Sequence, residues 1–127
     1  MEYEVRLIES SKPLSARDKI RFNNFSAALT LDGLVEDEKD VAHIAPVAYA
    51  YFEVHNERAE NTDYPMFVIE TSDGSLYKTG STAFFNRFKE IFDTMSADAP
   101  DEQYTVSILK RPSMRYKGKY ILLCQLD

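Results

Sequence analysis

The stretch Ser81-Thr-Ala-Phe-Phe-Asn-Arg-Phe-Lys-Glu-Ile-Phe-Asp-Thr-Met95 constrains the fold of this chain more than any other. Its apolar residues Phe84, Phe85, Phe88, Ile91, Phe92 and Met95 recur at the period of an amphipathic helix, so the spacing predicts a helix from Ser81 to Met95 with Ser81 or Thr82 as its N-cap. A stripe this rich in Phe is a core-facing stripe before it is a docking surface. Whatever else the chain builds must therefore supply a partner face for six large side chains.

The flanking segments supply strands. Tyr3 to Glu9 alternates, with Tyr3, Val5 and Leu7 on one side. Ser15-Ala-Arg-Asp18 has the form of a capping box with Asp in place of Glu, which predicts a short helix through Phe22 that closes at Asn23 and Asn24. Asp32 to Asp40 is mostly acidic and reads as an exposed connection. Val41 to Val54 reads as one long strand disturbed at Pro46, by an edge position or a bend. Beyond Pro46, Val47, Tyr49 and Tyr51 alternate with Ala48, Ala50, Phe52 and Val54, a tyrosine face against a small apolar face. Met66 to Thr71 and Ser75 to Thr79 read as a hairpin closed by a two-residue Asp73-Gly74 turn. After the helix, Tyr104 to Leu109 and Lys119 to Leu126 are the last two strands, joined by a turn over Pro112 to Gly118. In the final strand Tyr120, Leu122, Cys124 and Leu126 share a face, which makes Cys124 a small core residue.

With 127 residues the chain reads as a single domain able to bury roughly two thirds of its unfolded surface. Residues 1–40 form an N-terminal extension of strand and short helix; residues 41–127 run strand, strand, strand, helix, strand, strand. That is the element order of an OB-fold, so the expected class is mainly β (α+β): an OB-like five-stranded barrel with one helix between strands 3 and 4. A lone cysteine and the acidic start Met1-Glu2-Tyr3-Glu4 imply a reducing cytoplasm, and no apolar run approaches the ~18 residues of a membrane span.

Net charge is −6, which taken alone argues against nucleic acid. The charge is segregated, however. Residues 105–127 hold Lys110, Arg111, Arg115, Lys117 and Lys119 against Asp127, a balance of +4, and the remaining ten basic and twenty acidic residues give −10. The basic segment coincides with the loop between strands 4 and 5, Arg111-Pro-Ser-Met-Arg-Tyr116-Lys-Gly118, where an OB-fold binds oligonucleotides. Tyr49, Tyr51, Tyr64 and Tyr77, with Lys78 beside the last, cluster around the first loop and the two-strand face. Lysines and arginines neutralise phosphates, and tyrosine rings stack on unpaired bases, so the ligand expected is single-stranded DNA with little sequence preference.

At Asp73-Gly-Ser-Leu-Tyr77, then the helix, then Lys117-Gly118 leading into Leu123-Cys-Gln-Leu126, the chain resembles the single-stranded-DNA-binding proteins of small protein-primed Bacillus phages. Further echoes lie at Lys19-Ile20, Phe22-Asn23 and Asp32-Gly33. The resemblance implies a role in phage or mobile-element DNA replication, coating displaced strands, with replication proteins as further partners. It also implies base stacking by Tyr77, with Tyr64 a looser match and Tyr49 or Tyr51 the third. The richer basic hairpin and the acidic run Asp32 to Asp40 depart from that family's pattern.

No catalytic pattern competes with this reading. His43 and His55 lie twelve residues apart without a second ligand pattern, so no metal or other cofactor is expected, and each is read as a solvated or strand-edge residue. Ser75-Leu-Tyr-Lys78 and Lys78-Thr-Gly80 imitate penicillin-binding motifs but share one lysine within six residues. No Gly-rich phosphate loop precedes a helix, and no acidic spacing singles out a carboxylate pair. The chain is expected not to be an enzyme. The alternative is a small phage or mobile-element protein that binds a host protein, its acidic surface imitating nucleic acid.

Overall fold

A computed structural model describes residues 3–127; Met1 and Glu2, which open the acidic start, lie outside the described residues. Among the described residues the fold is α+β, mainly strands with two α-helices, and it divides into two compact units. One comprises the chain up to Leu29 together with Val47–Gly80; the other comprises Thr30–Pro46 and Ser81–Asp127.

The first unit is built on a five-stranded sheet. Its strands are β1 (Tyr3–Ser10), β4 (Pro46–Asn56), β5 (Asp63–Thr71), β6 (Leu76–Thr79) and the two-residue β2 (Leu29–Thr30), in the order β1-β4-β5-β6-β2. The alternation beyond Pro46 is realised: Ala48, Ala50, Phe52 and Val54 are buried. Small Ala48 and Ala50 leave the volume that Phe22 fills at the end of helix α1 (Ala16–Phe22), and Val68 completes that cluster, with Val5, Leu7, Leu14, Phe25 and Leu76 packed around it. The Phe25 ring meets Phe52 edge-on at 5.5 Å. Helix α1 starts where its capping box predicts, the Ser15 hydroxyl accepting from the Asp18 N–H at 3.1 Å. Arg21 then ties it to the sheet through Glu70 at 2.7 Å.

The hairpin between β5 and β6 closes on the Thr71–Ser75 pair around three residues, Ser72-Asp73-Gly74, rather than two. The Thr71 N–H donates to the Ser75 carbonyl at 3.0 Å and the Gly74 N–H to the Thr71 carbonyl at 2.9 Å, leaving Gly74 at φ +86°. The Asp73 carboxylate accepts from the Thr71 hydroxyl at 2.6 Å and from the Ser75 N–H at 3.0 Å. Those hydrogen bonds, led by that of Thr71, hold its pKa below the usual carboxylate value.

The second unit is a three-stranded antiparallel sheet of order β3-β7-β8, with β3 (Val41–Ile44), β7 (Val106–Pro112), β8 (Tyr120–Leu126) and helix α2 (Thr82–Asp98) packed on β8. The Ser81 hydroxyl caps α2 by accepting from the Phe84 N–H at 3.2 Å. Phe84, Phe85, Phe88 and Ile91 are buried as the period predicts, and their rings contact one another along the helix, Phe84 lying 6.4 Å from Phe88 and Phe88 5.8 Å from Phe92. The Ala99 N–H donates to the Met95 carbonyl, which carries the helix a turn past Met95 before Pro100. Val106, Ile108, Leu122 and Cys124 are buried on one face of the sheet. Burial pushes the Cys124 thiol up to about 12. The acidic run Asp32 to Asp40 is exposed through most of its length, apart from Val35, which is 1% exposed.

Two expectations are corrected. The segment 41–54 is not one strand: it breaks at Ala45, and its halves join different sheets, because Pro46 cannot continue a ladder as a donor. The strands therefore do not form one closed five-stranded barrel; they form two open sheets. Moreover, β1 and β2 from the N-terminal forty residues are the two edge strands of the first sheet, β1 pairing antiparallel with β4.

Candidate nucleic-acid interface

The basic segment folds as the β7–β8 hairpin. Its ladder runs in unbroken register from Val106↔Leu126 to Pro112↔Tyr120. The connecting loop is ordered by its own hydrogen bonds. The Ser113 N–H donates to the Lys119 carbonyl at 2.8 Å, and the Ser113 hydroxyl accepts from the N–H groups of Arg115 and Tyr116, each at 3.2 Å. Gly118 sits at φ +80°, a conformation that a side chain would strain.

Arg111, Arg115, Tyr116, Lys117 and Lys119 are exposed, whereas Lys110 is half-buried opposite Leu122 on the buried face of the sheet. Among the described residues none of the five cations is in an ion pair, although acidic residues outnumber basic ones in the chain. Unpaired like charges on one hairpin repel one another, and a polyanion relieves that repulsion while releasing its own counterions. Aromatic surface accompanies the charge. Tyr116 is 61% exposed and Tyr120 49%, beside Met114, whose side chain is wholly exposed. Sequence reasoning placed Tyr120 on the face of the last strand that carries Cys124. It does share a face with Leu122 and Cys124, but it stands at the hairpin end of β8, where that face emerges into solvent.

The tyrosines of the first unit do not form one platform. Tyr49 is packed in the interior at 2% exposure and offers no ring face to a base, which corrects its assignment as a stacking residue. Tyr51 is half-buried, its ring 5.0 Å from Phe67 and its hydroxyl donating to the Glu53 carboxylate, a bond that raises its pKa. Tyr77 is half-buried opposite Ile69 on β5. Tyr64, also half-buried, stands an odd number of positions from Phe67 and Ile69 along β5, so it lies on the other face of the sheet from Tyr77. Lys78 is opposite Val68, on the α1 side, and its ammonium donates to the Phe25 carbonyl. It is thereby engaged within the fold. The tyrosines and the basic hairpin belong to different compact units.

One polar cluster escaped sequence reasoning. The β3–β7 register puts His43 opposite Ser107; His43 Nδ1 lies 2.9 Å from Asp127 Oδ2 and 3.2 Å from Ser107 Oγ. The hydroxyls of Thr105 and Ser107 both donate to the Asp127 carboxylate, Thr105 at 2.6 Å. These hydrogen bonds, Ser107 first and then Thr105 and His43, hold Asp127 down at about 2. A serine, a histidine and an aspartate meet here, yet the geometry is not that of a nucleophilic triad. Serine and carboxylate converge on the same ring nitrogen, whereas a general base needs the carboxylate on the opposite one. His43 is on an edge strand and exposed, as expected.

His55 is the other histidine. Its Nδ1 lies 2.7 Å from Asp63, and with Glu4, Arg6 and Glu53 the pair lines an open cleft of about 300 Å³. Hydrogen bonds to Asp63 and then Glu57 raise its pKa above 6.5. Among the described residues no group of three or more His, Cys, Asp or Glu is arranged to hold a metal ion, and no helix is long and apolar enough to cross a membrane.

Comparison of the chain with family models, with curated proteins and with solved structures finds no match.

Proposed function

We propose that this protein binds single-stranded DNA without sequence specificity, through the β7–β8 hairpin, in phage or mobile-element DNA replication. The observation that carries the reading is a self-ordered hairpin whose exposed cations lack acidic partners among the described residues and alternate with exposed Tyr116 and Tyr120. Cations track the phosphates, aromatic rings take unpaired bases, and neither discriminates strongly among sequences. Tyr116 and Tyr120 thus take the stacking role with Tyr51 and Tyr77 as secondary candidates. The placement in replication rests on the resemblance through Asp73-Gly-Ser-Leu-Tyr77 to the phage proteins.

An OB-related ancestry is part of this proposal. The bent segment 41–56 pairs with β7 through its first half and with β5 through its second; β5 continues to β6, and β7 to β8. Such an order suits a partly open Greek-key barrel that lacks its closing pair, and in that fold the hairpin after the helix is a binding loop.

Fluorescence titration with oligonucleotides of different sequence at low salt tests the reading; absence of binding, or binding indifferent to salt, refutes it. The exposed carboxylates Glu36, Asp37 and Glu38 favour a second reading, in which the chain engages a basic host protein. Pulldown from nuclease-treated lysate separates the two: a stoichiometric protein partner with no co-purifying nucleic acid supports the second.

A further inference from the structure

The two sheets have four edges, and three of them are guarded against pairing with another chain. Strand β1 carries Glu4, Arg6 and Glu9 and a bulge between Leu7 and Glu9; β2 is two residues long; β3 is four residues long, between Asp40 and Pro46. Charge, irregularity and shortness are the ordinary ways in which natural edges are blunted. Strand β8 has none of them. Tyr-Ile-Leu-Leu-Cys-Gln-Leu is seven residues without charge, proline or bulge, and β7 is its one hydrogen-bonded neighbour among the described residues.

The direction of its free backbone groups follows from the ladder. The Asp127 N–H donates to the Thr105 carbonyl, and the Lys119 carbonyl accepts from Ser113. Bonded and non-bonded pairs alternate in an antiparallel ladder, so Ile121, Leu123 and Gln125 turn their N–H and C=O groups to β7. Tyr120, Leu122, Cys124 and Leu126 turn theirs to the open edge.

We propose that β8 pairs with β8 of a second copy, antiparallel about a two-fold axis at Leu123. This register puts Tyr120 opposite Leu126 of the second copy and Leu122 opposite Cys124, so all four outward residues are used. It also puts Lys119 opposite Asp127 of the second copy at both ends, opposite charges on neighbouring strands. Shifting the register by two residues in either direction leaves outward groups unpaired and separates those charges. Side chains support the same axis. Val41, Leu109 and Leu123 form an apolar row across β3, β7 and β8, with Val41 48% exposed. Across the axis Leu123 meets Leu123 and the row continues through the second copy, joining two three-stranded sheets into one of six strands. The hairpin ends of the two β8 strands, at Tyr120, then stand roughly 20 Å apart, with the basic loops projecting beyond them in opposite directions. This association does not depend on nucleic acid.

Disulfide trapping tests it. In this register the two Leu123 positions form a non-hydrogen-bonded pair, with Cα atoms about 4.5 Å apart, within disulfide reach. Leu123→Cys is expected to form a covalent dimer of folded protein under mild oxidation. Ile121→Cys alone is expected not to, while a mixture of Ile121→Cys and Gln125→Cys does so between unlike chains. Native Cys124, buried and with its thiol pKa raised, supplies the unreactive background. Sedimentation velocity of the unaltered chain in the micromolar range is expected to show a concentration-dependent dimer, and Leu123→Lys, folded by circular dichroism, a monomer. A chain that stays monomeric, or an Ile121→Cys variant that cross-links as readily as Leu123→Cys, overturns the proposal.

Discussion

Arg111 stands directly opposite Ile121 in the β7–β8 ladder, so a guanidinium and a half-exposed aliphatic side chain leave the same face of the sheet at the base of the basic loop. Beyond that pair the hairpin carries Arg115, Tyr116, Lys117, Lys119 and Tyr120 into solvent. Charge and apolar surface are interleaved there rather than separated, as backbone tracking and base stacking together require.

Removing the charges should weaken binding without changing preference. Every phosphate that is no longer neutralised makes the slope of log affinity against log salt shallower by about 0.7 for single strands. Arg115→Ala and Lys117→Ala should each reduce the slope by about that amount, equally for all oligonucleotide sequences. Titrations at several salt concentrations measure it.

Removing the rings should do the reverse. Tyr116→Ala and Tyr120→Ala should each cost about 1–3 kcal/mol of binding with the salt slope nearly unchanged. Tyr49→Ala, at a position 2% exposed, should lower the urea midpoint instead.

The contrast between Tyr49 and Tyr116 shows what the sequence reveals and what it does not. Alternation assigned Tyr49 and Ala48 to opposite faces correctly, but period two states which residues share a face, not which face is covered. Helix α2 and both caps were legible because each rests on contacts three or four residues apart. Barrel closure was not, since it depends on which distant strands bond. The two-residue β2, invisible as a pattern, takes the edge of β6, and the break at Ala45 sends β3 to another sheet. The cluster of His43, Thr105, Ser107 and Asp127 was hidden for the same reason, its members meeting only through the β3–β7 register. The basic hairpin was legible because charge segregation and a turn signal are both local.

Deep truncation of the helix stripe should unfold the protein rather than silence it. Phe88 is fully buried between Phe84 and Phe92 on α2, and Phe88→Ala should cost about 3–5 kcal/mol of stability in urea denaturation.

Acid should act partly through Asp127. Its pKa is about 2 in the folded chain against an ordinary 3.8, so the folded state favours the carboxylate. The stability this contributes is present above pH 3.8 and is lost as pH falls from there through about 2. Asp127→Asn should flatten that limb of an acid titration followed by circular dichroism, and a variant whose acid limb matches the unaltered chain would exclude Asp127 as its source.

The central claim is that the hairpin binds single strands by charge and stacking. Its most direct test is one titration at two salt concentrations, with single-stranded and duplex DNA of the same sequence, on the unaltered chain and on a chain with Arg111, Arg115, Lys117 and Lys119 replaced by Ala. The account predicts tighter binding of the single strand, a salt slope of about −2.8 for roughly four contacted phosphates, and loss of most of that slope in the replaced chain. Equal affinity of the two chains for single-stranded DNA would contradict it.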